Sequence, residues 1–512
     1  MVRGRPPADI GPPHARPWIL AATVLGSAMV FIEGSAVNVA LPAFQRALGA
    51  TVVDIQWIVN SYTLFLAALI LLGGSLGDRF GRRRIFLIGT TLFTLASVAC
   101  GLAANTTQLI ITRGIQGIGG ALLTPGSLAI LSATFPEDER GHAIGLWSGF
   151  SAMTAAIGPV LGGWLIDTLS WRWIFFLNVP IAIIVMAISL RFVPESRGDA
   201  AQGELDLRGA VLATTGLAAI TWGALESSNR GFGDAFVVAA LITGVLLLIR
   251  FVLVEKHSTA PMMPLELFRS PSFRGANLLT LCLYAALAGA LFFFPINLVQ
   301  VQGYSATAAG AALLPFILLL SLLSRWSGGL IARYGGKLPL TVGPLIVAAG
   351  FALFALPGIG GGYLTTFMPA VVVLGLGMAV SVAPLTTTVM NAVPVRHAGT
   401  ASGINNAVSR TAGLLAVALF GIVMLAVFSD RFEAGLDSID LPSGARTELL
   451  ANANGLAAID IPADLPESVR IAVEQAIQSA FVAGFRIVMI LAACLAATSA
   501  LIAWRTIARP ER

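Results

Sequence analysis

Apolar runs of about 18–27 residues recur along the whole chain, and few folds can absorb them. They fall near residues 17–42, 54–76, 85–104, 107–131, 141–167, 173–193, 208–226, 234–253, 273–299, 306–332, 339–356, 364–390, 398–427 and 480–504. A run of that length crosses a bilayer as a helix, because lipid offers no partner to an unpaired backbone group. Of the 512 residues, 56% are hydrophobic and 11% charged, whereas a soluble domain carries roughly 25% charged residues. The expectation is an all-α polytopic membrane protein with about fourteen transmembrane helices.

Charge sets the expected orientation. Lys256 and Lys337 are the only lysines; the other basic residues are arginines, a bias typical of GC-rich bacterial genes. Most of these basic residues fall in loops that alternate crossings place on one side. That side is then cytoplasmic and holds both termini, in a bacterial plasma (inner) membrane. The net charge of +5 therefore reports topology and not nucleic-acid binding. Residues 1–16 and 506–512 read as cytoplasmic tails, and the first apolar run is too long for a signal-peptide core. The long external segment 428–479 is acidic and too polar to cross; it reads as a solvated cap or as a lid.

Enzyme chemistry finds no support. Cys100, Cys282 and Cys494 lie inside apolar runs, and the four histidines form no metal-binding pair. No cofactor or metal is expected. Gly336-Lys337 lacks the phosphate-binding pattern that an ATP-driven pump needs.

One loop carries more information than the others. Gly74-Ser75-Leu76-Gly77-Asp78-Arg79-Phe80-Gly81-Arg82-Arg83-Arg84 joins two apolar runs. The arginines fix its side, the glycines permit close helix ends, and Asp78 can meet a helix terminus or an arginine. The loop recurs in weaker form: Gly74, Leu76, Arg79, Gly81 and Gly89 match Gly328, Leu330, Arg333, Gly335 and Gly343. Parallel repeats imply two bundles related by an axis along the membrane normal. The expected divisions are a six-helix bundle at 17–193, an inserted two-helix region at 194–272 and a second six-helix bundle at 273–505.

With these motifs the chain resembles the major facilitator superfamily, and within it the fourteen-span drug:proton antiporters of EmrB/QacA type. The loop matches the family pattern at Gly74, Leu76, Gly77, Asp78, Arg79, Gly81, Arg82 and Arg83, and the resemblance implies a gating role for it. The fourth span matches the family's arginine motif through Leu109, Arg113, Gln116, Gly117, Gly119, Gly120 and Ala121. The fifth follows the antiporter motif through Gly145, Gly158, Pro159, Gly162 and Gly163, with Thr154 where the family has glycine. The first span carries Glu33-Gly34-Ser35-Ala36-Val37-Asn38, with glutamate at a position that is usually aspartate.

The resemblance implies a major facilitator fold and proton-driven export of amphipathic, often cationic drugs. The alternative is dedicated export of one metabolite, self-made antibiotic or lipid. It makes Glu33, Asn38, Arg113 and Gln116 candidates for proton coupling or substrate contact. The partners it implies are a drug-like small molecule, protons and the bilayer, with no nucleic acid.

Depth links two of these residues. Glu33 lies ~24 Å up its helix and Arg113 ~9 Å below the opposite surface, so they stand at similar heights in a ~30 Å slab. Burial disfavours a charged carboxylate and a neighbouring arginine favours it, so a change of environment changes proton affinity. A fixed structural ion pair is the other reading. Arg410, ~18 Å into its span, either lines the C-terminal part of a cavity or bonds to Asn405, Asn406 and Ser409. Arg325 is expected to snorkel. Phe292, Phe293 and Phe294 could contribute one or two rings to an aromatic wall.

Overall fold

The computed structural model describes residues 13–197, 206–258, 261–393 and 398–507. Fourteen long helices follow one another: α1 (Arg16–Leu48), α2 (Val52–Phe80), α3 (Arg82–Gly101), α4 (Thr106–Thr134), α5 (Glu137–Thr168), α6 (Arg172–Phe192), α7 (Leu207–Arg230), α8 (Ala235–His257), α9 (Pro271–Val301), α10 (Ala306–Leu323), α11 (Lys337–Phe354), α12 (Met368–Asn391), α13 (Ala398–Leu436) and α14 (Glu467–Thr506). Among the described residues, twelve are long and apolar enough to cross a membrane. α5, with 32 residues, and α7, with 24, complete the set. An even number of crossings puts both termini on one side, here the terminus side; the other is the loop side.

Local chemistry sets the helix ends. Thr51 and Asp54 form a capping box at α2, so Asp54 holds a helix terminus instead of standing free in solvent. Asn105 caps α4 through the Gln108 amide.

The repeat is visible in the packing. Gly81 and Gly335 occupy matching turns, and both have positive φ, +113° and +71°. Eight residues further on, Gly89 and Gly343 mark equivalent crossings. A Cβ on Gly89 would stand 3.0 Å from the Gly119 carbonyl, and one on Gly343 would stand 3.1 Å from that of Gly377. α3 therefore packs on α4 as α11 packs on α12, through paired glycines that bring the backbones together. α1–α6 and α9–α14 form the two bundles of a parallel repeat.

α7 and α8 form a hairpin outside both bundles. α7 docks where the bundles meet: Leu217 packs with Leu64, Ala68 and Leu414, and Leu225 with Val53 and Ala418. α8 packs on α7, and its Phe236, Ile242, Leu246 and Leu253 are exposed to the surroundings. A helix with such a surface is stable only in lipid.

The acidic loop-side segment differs from a freely solvated cap. α13 and α14 extend into it, and the remainder folds into the helix Ser443–Ala451 and a 3-10 turn, Ala453–Ala458. Phe428, Phe432, Leu449, Leu456 and Val473 are buried and continuous with the main core. Gln45 at the end of α1 donates to the Gly455 carbonyl and accepts from Gln300. The cap thus has its own apolar interior, and its acids lie on the outside.

Candidate functional site

Glu33 and Arg113 meet inside the N-terminal bundle. Arg113 Nη1 donates to Glu33 Oε1 at 2.9 Å and to Gln116 Oε1 at 2.7 Å, while its Nε donates to the Ile58 carbonyl at 3.1 Å. Its guanidinium lies 4.2 Å from the centre of the Tyr62 ring. Asn178 Nδ2 donates to Glu33 Oε2 at 2.7 Å and to Ser97 Oγ at 2.9 Å. Both carboxylate oxygens are therefore engaged, by groups from α4 and α6. Glu33 is 0% and Arg113 1% exposed, so the pair is packed into the bundle and does not line an open cavity. Breaking such a pair by removing one partner costs about 3–5 kcal/mol.

Sequence reasoning brought Glu33, Arg113 and Gln116 together by depth and motif. It missed Asn178, Ser97 and Tyr62. The signal for Asn178 was a lone amide inside an otherwise apolar run. Asn38 does not join the cluster: its amide reaches back to the Gly34 carbonyl of its own helix at 3.4 Å. Five residues separate it from Glu33, and at 100° per residue that points it to another face.

Arg410 lies on a stripe of α13 that faces α2. Seven residues before it, Gly403 packs against Leu71, and seven residues after it the Val417 carbonyl accepts from Gln56 Nε2 at 2.8 Å. It is in electrostatic reach of Tyr62. The expected bonds to neighbouring amides are not made. Asn405 donates to Asn277 and Thr280, whereas Asn406 and Ser409 bond back to their own helix. The phenylalanine wall is also corrected. Phe292, Phe293 and Phe294 are all fully buried, and Phe294 packs edge-on against Phe354 and Phe367. The side chain of Arg325 and the surroundings of Gly145 lie outside the described residues.

In the loop between α2 and α3, Asp78 holds Arg82 at 2.8–2.9 Å, and Arg82 Nη1 reaches the Ala129 carbonyl on α4. Glu195, unnoticed in the sequence, accepts from the backbone amides of Arg83 and Arg84 at the start of α3. Arg79 stacks on Phe80. Gly74 packs on Pro125, and Gly77 leaves room for Arg82. At Gly81, positive φ and the Glu195 carboxylate 2.6 Å from a Cβ position both require glycine. Gly81→Ala is expected to lower the melting temperature of the detergent-purified protein by a few degrees, in line with about 1–2 kcal/mol of local strain.

The α5 glycines serve two contacts. Gly158 and Gly162 lie against Ser35 and Ala36 of α1. Gly163 meets the Ala306 carbonyl, and Gly310 meets that of Pro159, so α5 and α10 cross backbone to backbone near the loop side. Asp167 completes this seam by accepting from the amides of Ala306 and Thr307 at 3.2 and 2.8 Å.

Residues 23–417 match the model of the Major Facilitator Superfamily. The chain belongs to the major facilitator superfamily. Among similar relatives is a tetracenomycin C resistance and export protein from Streptomyces glaucescens, 32% identical over 96% of this chain and 91% of that one. Another is the multidrug resistance protein Stp of Mycobacterium tuberculosis, 35% identical over 84% of this chain and 80% of that protein. The fold is also that of a bacterial homologue of the human lysosomal transporter Spinster, solved inward-facing and unoccupied. That structure has a TM-score of 0.67 at 18% identity and covers 98% of this chain and 100% of that one. As a major facilitator, the chain is a multi-pass membrane transporter of small molecules and not an enzyme.

Proposed function

We propose that this protein exports amphipathic drugs or antibiotics across the bacterial plasma membrane in exchange for protons, by alternating access. The terminus side is the cytoplasm. The bundles, at about residues 17–193 and 273–505, rock against each other around the hairpin region 194–272. Glu33 is the proton carrier, Arg113 its counter-charge and Gln116 a positioning group. The 74–83 loop and the α5 glycines act as gate and bearing.

The observation that carries this reading is the buried Glu33–Arg113 pair at the heart of one bundle. An intramembrane ion pair is expensive in lipid and marks an ion pathway by default. Protonating Glu33 removes its claim on Arg113, and each charge moved across 100 mV contributes ~2.3 kcal/mol. Resistance and export relatives of nearly the same length support the direction of transport. Dedicated export of a single product is a second reading, favoured by the naming of one relative for a single compound, tetracenomycin C.

The test is accumulation of a panel of fluorescent amphiphiles in everted vesicles under an imposed pH gradient. Accumulation should rise with the gradient and collapse when a proton–potassium exchanger dissipates it. Equal accumulation with and without the gradient would refute proton coupling.

A further inference from the structure

The charges near mid-membrane do not balance. Among the described residues, Glu33 is the one acid buried at the centre of either bundle, and Arg113 and Asn178 occupy its oxygens. Three other acids of the bundles stand at helix ends and are engaged there. Asp54 caps α2, Asp78 holds Arg82, and Asp167 caps α10. Arg410 is the opposite case: no carboxylate pairs with it among the described residues, and its buried Nε has no acceptor.

A second donor near it is also unsatisfied. The Tyr62 hydroxyl, on a residue 4% exposed, has no partner. That hydroxyl lies 3.6 Å from a Cβ position on Gly120, one turn beyond Gln116 on α4. A guanidinium and a phenol O–H, from α13 and α2, therefore present donors where the bundles meet, with no carboxylate paired to either among the described residues. Buried donors without partners are costly, and the half-buried Arg410 guanidinium has no counter-charge among those residues. A ligand that brings an anion relieves both. A cation would meet one unpaired positive charge, and two once Glu33 is protonated.

We propose that Arg410, with the Tyr62 hydroxyl, receives the acidic group of the cargo, so that the transporter prefers amphipathic anions to cations. The proposal rests on the export reading above and names its substrate class. A carboxylate, enolate, phenolate or sulfonate supplies the acceptor that the site lacks. Arginine suits this role because its fork of donors matches such groups in two-point contact.

Sulforhodamine B and rhodamine 6G share a xanthene core and carry opposite net charge, which makes them the probes. Binding to purified full-length protein is read by fluorescence anisotropy, and transport in proteoliposomes under a pH gradient. Wild type should bind the anionic dye more tightly. Arg410→Gln should weaken that binding about tenfold or more, the loss of a charge-assisted contact, and tighten that of rhodamine 6G, which no longer meets a like charge. Arg410→Lys should restore part of it, and Tyr62→Phe should weaken it a few-fold. These two variants carry the test if Arg410→Gln does not elute as a single species.

Wild-type preference for rhodamine 6G, binding of neither dye, or anion binding indifferent to Arg410 would overturn the proposal. Anion binding that depends on Arg410, in protein whose liposomes ignore the gradient, keeps the proposal and refutes proton coupling. Gradient-driven transport of rhodamine 6G in preference to sulforhodamine B, with both unaffected by Arg410→Gln, does the reverse.

Discussion

Glu33→Gln is expected to reduce pH-gradient-driven transport to the level of protein-free liposomes, while the protein still inserts and purifies as a single species. Glutamine keeps the length of the side chain and one oxygen for Arg113, but it cannot bind or release a proton. Its amide nitrogen also faces the Asn178 donor that Glu33 Oε2 now satisfies. Arg113, 1% exposed, loses its counter-charge, so a fall in melting temperature should accompany the loss of transport, from a penalty of about 3–5 kcal/mol. Glu33→Gln combined with Arg113→Gln removes both charges and should recover much of the stability without recovering transport. That pattern separates coupling from mere structural support. Transport by Glu33→Gln at the wild-type rate and pH dependence would leave Glu33 as a fixed ion-pair partner.

The second large effect is expected at the α5–α10 seam. A Cβ on Gly310 would stand 2.1 Å from the Pro159 carbonyl oxygen, and backbone cannot move aside as a side-chain tip can. Gly310→Ala should therefore disfavour the loop-side-closed arrangement and cut transport about tenfold or more, which is a shift of only ~1.4 kcal/mol. The fold should persist, because the contact joins the bundles and does not build either one. Gly117→Ala is the contrast. Its Cβ would stand 2.3 Å from the Tyr62 carbonyl inside one bundle, so it should lower the melting temperature outright. The seam is read with Ala306→Cys in a background without the three native cysteines. Labelling by an impermeant maleimide from the loop side should rise when Gly310→Ala is added. Unchanged labelling and unchanged transport would show that the seam does not gate.

The crossings were legible because lipid imposes them: a span needs about 20 apolar residues, and that demand is written in composition. The repeat was legible because Gly81 and Gly335 answer one backbone requirement twice. The Glu33–Arg113 encounter followed from helix rise together with the motifs that singled out both residues. Asn178, Ser97 and Tyr62 were not legible, since a single polar residue in an apolar run does not announce its partner. Asp167 and Glu195 escaped for a similar reason: their partners are backbone amides more than 100 residues away. The environment of Arg410 depends on which face of a 39-residue helix meets the other bundle, and only packing decides that. The exposed acids of the cap were legible in its composition, but the few buried aromatics that anchor it to the core were not.

The docked hairpin has a consequence for molecules dissolved in the bilayer. Two bundles in contact leave two flanks through which a greasy compound could slip in sideways from a leaflet. α7 shutters the one between α2 and α13, packing on Leu64 and Leu414 from either side, and α8 adds a second layer. The flank at α5 and α10 has no such shutter among the described helices. Duplication made the bundles alike, but the insertion gives the molecule a blind side and a doorway side.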